Sequence, residues 1–68
     1  MISVIYINLA EKLYELKDDE LGLKKYIKEN LNLEKFDENV TNEMVGMLKL
    51  EGSRDFVIGK IAGFLAMA

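Results

Sequence analysis

The sequence predicts an all-α fold: a small bundle of three to four short helices, with the C-terminal helix either central or at an oligomer interface. Three observations carry this. Apolar residues recur at helical spacing in the first segment, with Ile2, Ile5, Tyr6, Leu9, Leu13 and Leu16 on one face. No proline interrupts any segment, while Gly52-Ser53 supplies a helix stop followed by a helix start. The run from Phe56 to Ala68, FVIGKIAGFLAMA, carries Lys60 as its single charge. A helix that is apolar all round has to be buried.

The first helix is expected from about Ser3 to Lys17. The opening ISVIYI is rich in β-branched residues and has some strand character. No good partner strand appears elsewhere, so helix is preferred for residues 2–7. Asp18-Asp19-Glu20 then suits the N-terminus of a second helix, where the dipole favours negative charge. That helix turns Leu23, Tyr26, Ile27 and Leu31 inward and Lys24, Lys25 and Lys28 outward. Gly22 weakens its first turn. Because Leu16, Leu23 and Ile27 continue one stripe, fusion of the first two helices is a second possibility.

Residues 30–40 read as a connector anchored in the core by Phe36. Thr41 has the residue type of an N-cap, and Val40 and Val45 the spacing of a hydrophobic staple. The third helix is then expected over about Asn42–Glu51. Gly52 suits the left-handed position that ends a helix, and Ser53 the cap of the fourth.

All 68 residues are assigned to one domain. So short a chain buries only about 60% of its unfolded surface, and disulfides, metals or oligomerisation usually supply the missing stability. There is no Cys and no His, which removes disulfides and argues against a transition-metal site. Oligomerisation or tight helix packing remains; a homo-oligomer is expected, and no cofactor is. The N-terminus lacks the basic start and cleavage pattern of a signal peptide, and the longest apolar tract is well short of the ~20 residues of a membrane span. A cytoplasmic location is the expectation.

Charge narrows the function classes. The net charge is -3, with ten acids and six bases in residues 1–43 and two acids and three bases in residues 44–68. An acidic first half argues against generic nucleic-acid binding, which draws most of its affinity from a basic face. Lys24, Lys25 and Lys28, with Lys17 and Lys35, form a stripe interleaved with Glu20, Glu29 and Glu34, the pattern of an exposed helix surface.

Catalysis is not expected. Without His or Cys, and with Ser3 near a terminus and Ser53 a cap, no nucleophile has a base beside it. Adjacent acids such as Asp18-Asp19 or Asp37-Glu38 point in different directions on a helix. The stretch from Asp37 to Glu43 has the alternating ligands of an EF-hand start. It lacks the Gly at position 6 and the Glu at position 12, where Asn42 and Leu48 stand. The sequon Asn39-Val40-Thr41 has meaning only in a secreted chain.

Two candidate surfaces remain. In the fourth helix Gly59, Ala62, Gly63 and Ala66 form a small-residue stripe, opposite Val57, Ile61, Phe64 and Leu65. Each interior glycine costs about 1 kcal/mol relative to Ala. The spacing of Gly59 and Gly63 is that of a close helix–helix contact. Either this stripe packs on the first helix or, with Phe56 and Met67, it forms a protein interface. The second surface is acidic: Glu34, Asp37, Glu38 and Glu43 lie within ten residues, offset by Lys35. It would attract a basic protein, or would simply be solvated.

The sequence therefore points to a non-enzymatic protein–protein interaction module, a regulator, adaptor or inhibitor, that also self-associates. The alternative is a helix-turn-helix DNA-binding regulator using Thr41–Ala68, with Ser53-Arg54-Asp55 opening the recognition helix. Against it stand the single arginine and a Gly-Ser junction shorter than the usual turn. A membrane-surface helix is weaker still, because the fourth helix lacks a basic polar face.

Overall fold

The computed structural model describes residues 3–31 and 34–67. Within them the chain forms four helices and no strand: α1 Val4–Glu15, α2 Glu20–Asn30, α3 Glu38–Leu48 and α4 Arg54–Met67. Ile2 and Ala68, which the sequence reading included in the end helices, lie outside the described residues.

Each helix starts on a short polar side chain that accepts a hydrogen bond from an otherwise unpaired backbone N–H. Ser3 Oγ accepts from Ile5 N at 3.2 Å, and Asp19 Oδ1 accepts from Gly22 N at 3.0 Å. Asp37 Oδ1 accepts from Val40 N at 2.9 Å, and Ser53 Oγ accepts from Phe56 N at 3.1 Å. A Cβ at Gly22 would meet the Asp19 carboxylate, the end of a side chain that would have to shift.

The β-branched start of α1 is helical from Val4 onward, with Ser3 as its cap. The first two helices are separate. Leu16 closes α1, its N–H reaching Lys12 O and Leu13 O, and Asp19 leaves the helical region at φ -110, ψ 87.

The third helix departs from the expected bounds at both ends. It begins at Glu38, and Asp37 rather than Thr41 is the cap. Thr41 lies inside the first turns: its N–H donates to Asp37 O at 2.9 Å and its hydroxyl to Phe36 O at 3.3 Å. The earlier start adds a helical turn beside the buried Phe36. Val40 and Val45 therefore do not flank the cap as a staple. The helix ends at Leu48, so the link to α4 is the five residues 49–53, not a two-residue junction. Gly52 adopts φ +143 in this link, a backbone region open to glycine and strained for other residues.

The core consists of Ala10 and Leu13 from α1, Leu23 and Ile27 from α2, Phe36, Met44 and Leu48 around α3, and Val57, Ile58, Ile61, Ala62 and Leu65 from α4. No polar side chain is buried among the described residues. The fourth helix supplies five of these twelve residues and packs mainly on α1 and next on α3, so it is central to the bundle. The radius of gyration, 10.8 Å, matches the ~11 Å of a compact chain of this length.

One residue of the expected α1 face is displaced. Ile5 is 68% exposed, whereas Ala10, between Tyr6 and Leu13 on the helix surface, is fully buried. The inward face is thus rotated toward Ala10, which as a small residue lets α1 sit close to its neighbours.

Candidate functional site

The site begins with the composition of α4. Its inward face takes Val57, Ile58, Ile61, Ala62 and Leu65. A soluble helix would normally be polar on the other side. Here the other side carries Phe56, Gly59, Lys60, Gly63, Ala66 and Met67, at the 3–4-residue spacing of one helical face. Phe56 is 48% exposed and Met67 90%, Gly59 and Ala66 are exposed, and Gly63 is half-buried.

Five of the six expected interface residues are therefore brought together on one outer face. Ala62 is the exception. It is buried in the core, because its side of the helix turns toward the neighbouring helices rather than outward.

The two glycines are not consumed by packing within the chain. Apart from their chain neighbours and the backbone of their own helix, a Cβ at Gly59 or Gly63 would meet no atom within 4 Å. Their cost of about 1 kcal/mol each therefore has no intrachain compensation. Of the small-residue stripe, Ala62 alone is buried in the core.

Charge on this face is sparse and ordered. Asp55 lies at its start with the side chain 97% exposed, near Arg54 at 3.9 Å. Lys60 lies along the face, its Nζ 5.5 Å from the centre of the Phe56 ring, a cation–π distance. The aliphatic stem of such a lysine covers apolar surface while its charge stays in water.

Next to this face the structure adds a residue that periodicity in α1 alone assigned no role. Ile7 lines a groove with Ile58 and Gly59, together with Glu11, Arg54 and Asp55. Val4 is exposed one turn earlier on α1. The signal was present in the sequence as apolar residues on the polar side of α1. Which helix they would stand beside could not be read from it.

The acidic residues have different immediate surroundings. Asp37 is the α3 cap and Glu38 sits in the first turn, where the helix dipole favours negative charge. Glu43 lines a cavity with Lys35, Val40, Phe64 and Met67, next to the end of α4. Glu34, like the other three, is exposed.

The basic residues occupy separate surroundings. Arg54 pairs with Glu11, Nη2 to Oε2 at 3.3 Å, and lies 5.9 Å from the Tyr14 ring. Lys49 lines a cleft with Lys17, Lys24, Asp18 and Glu20, where Lys24 pairs with Glu20 at 3.3 Å and Lys17 reaches the Tyr14 hydroxyl at 3.2 Å. Among the described residues no three Asp or Glu side chains stand close enough to hold a metal ion. Among them also, no helix is long and apolar enough to cross a membrane.

No protein-family model matches this chain, and no curated protein or solved structure matches it significantly.

Proposed function

We propose that this chain is a small non-enzymatic interaction module that binds protein through the outer face of α4, in the first place a second copy of itself. The observation that carries this is the exposure of Phe56, Gly59, Ala66 and Met67, with Gly63 half-buried among them, on a helix whose other face is already buried. Contiguous exposed apolar surface favours a partner, because covering it releases water at roughly 25 cal/mol per Å². Two open glycines would let a facing backbone approach closely. A role as regulator, adaptor or inhibitor follows, acting by occupying a surface rather than by chemistry.

The test is Gly63→Leu. Open space around Gly63 means that the leucine should leave the fold intact and raise helix propensity. It should also hold a facing helix away. The variant is expected to keep its circular dichroism and melt no earlier than the parent, while its assembly weakens at least ~10-fold, about 1.4 kcal/mol. Unchanged assembly removes the α4 face from the proposal.

A helix-turn-helix DNA-binding role is the second reading. The five-residue link between α3 and α4 favours it, being long enough for such a turn. The recognition position is less favourable, since Arg54 is paired with Glu11. Retardation of duplex DNA at low salt, lost in Arg54→Ala, would support it.

A further inference from the structure

The outer face of α4 has a charge order that distinguishes one way of docking from another, and we infer that its occupant is a second copy of α4 packed parallel, about a two-fold axis along the helices. This rests on the interaction reading above and specifies its geometry.

Phe56, Gly59, Gly63 and Ala66 stand at 3-4-3 spacing, the a, d, a and d positions of a seven-residue repeat. All four lie outside the core. Asp55 then occupies the g position on one flank and Lys60 the e position on the other. Asp55 precedes Lys60 by five residues.

In a parallel two-fold pair the flanks are exchanged across the seam, so a g side chain meets the e side chain five residues later on the other helix. Asp55 of each copy then faces Lys60 of the other, giving two opposite-charge pairs. In an antiparallel pair each flank meets itself. Centred on Gly59 and Gly63, such a pair sets Lys60 near Lys60 and Asp55 at the level of the other helix's C-terminal end, one repulsive contact and no opposite-charge pair. Opposite charges at these positions set helix orientation, and like charges exclude the alternative.

The side chains are placed for the parallel pairing. Asp55 is almost fully exposed, and among the described residues its charge has only the long 3.9 Å contact with Arg54. Lys60 already lies along the seam against Phe56. The open space at Gly59 and Gly63 lets the facing backbone come close enough for these short flanking contacts.

The experiment is a charge-reversal cycle on the full chain, read by sedimentation equilibrium. Asp55→Lys and Lys60→Glu should each weaken the dimer about threefold to tenfold, as expected for two exposed pairs turned repulsive. The double variant should return to within about twofold of the parent. Asp55→Lys also loses an acid at a helix N-terminus, and the double variant keeps that loss. Recovery therefore reports the pairing. Should a charge variant fail to fold, Ala66→Cys supplies a second readout in a chain without cysteine. In the parallel pair the two introduced thiols meet across the seam, and an added oxidant such as oxidised glutathione, itself reduced to two thiols, joins them in a disulfide, which needs Cα atoms within about 7 Å. A dimer whose double variant is as weak as the single ones, or whose Ala66→Cys form does not cross-link, overturns the parallel register and leaves self-association standing. A chain monomeric at about 1 mM, a concentration matching an affinity of only ~4 kcal/mol, overturns both, and assigns the face to a different protein.

Discussion

Arg54, the first residue of α4, pairs with Glu11 in the middle of α1, Nη2 to Oε2 at 3.3 Å across 43 residues of sequence. Arg54 also lies 5.9 Å from the Tyr14 ring. The next turn of α4 then shares a groove with Ile7. The two helices therefore run in opposite directions, and the pair fixes which residues of α1 border the outer face of α4. Both side chains remain about half exposed. Exposed pairs contribute little, so a double-mutant cycle with Glu11→Ala and Arg54→Ala should give a coupling below ~1 kcal/mol in chemical denaturation. A coupling several times larger would mean the pair is far better shielded than its exposure implies.

Gly52 and Ser53 should matter more than this ion pair. Gly52→Ala forces an L side chain into a φ of +143, and its Cβ would stand 2.8 Å from Phe56 Cδ2. The expected loss is at least ~1 kcal/mol. Ser53→Ala removes the acceptor for Phe56 N–H and should cost ~1 kcal/mol. Thermal melts of the two variants check both. An unchanged melt for Gly52→Ala would contradict the backbone conformation of the link.

The position of the α3 cap is open to a paired comparison. Asp37→Ala should cost ~1 kcal/mol, because it leaves Val40 N–H without its 2.9 Å acceptor. Thr41→Ala loses a longer hydroxyl bond to Phe36 O at 3.3 Å and should cost less. The reverse order, measured by urea denaturation, would return the helix start to Thr41.

Periodicity and punctuation made the four helices legible, and burial made α4 central. Leu13, Leu23, Ile27 and Phe36 lie in the core as their spacing or position suggested. The start of α3 was misread because two residues compete for one cap. Asp37 and Thr41 both have suitable side chains, and the choice depends on Phe36 entering the core just before the helix. The rotation of α1 toward Ala10 was hidden for a similar reason: alanine carries little periodic signal, and its burial is decided by how closely helices approach. The candidate face was legible as a set of residues. What the sequence could not say was which side of α4 the bundle would use. Ala62 belonged to that inner side, and Gly59 and Gly63 did not.

On the proposed reading, a second copy of the chain covers the outer face of α4. The most direct measurement is the solution mass of the unmodified protein by sedimentation equilibrium, followed from about 10 μM to about 1 mM, the span over which an association of ~4–7 kcal/mol becomes visible. The account predicts a mass that rises with concentration toward twice the 7.8 kDa of one chain. A constant mass of one chain over that whole range would contradict it.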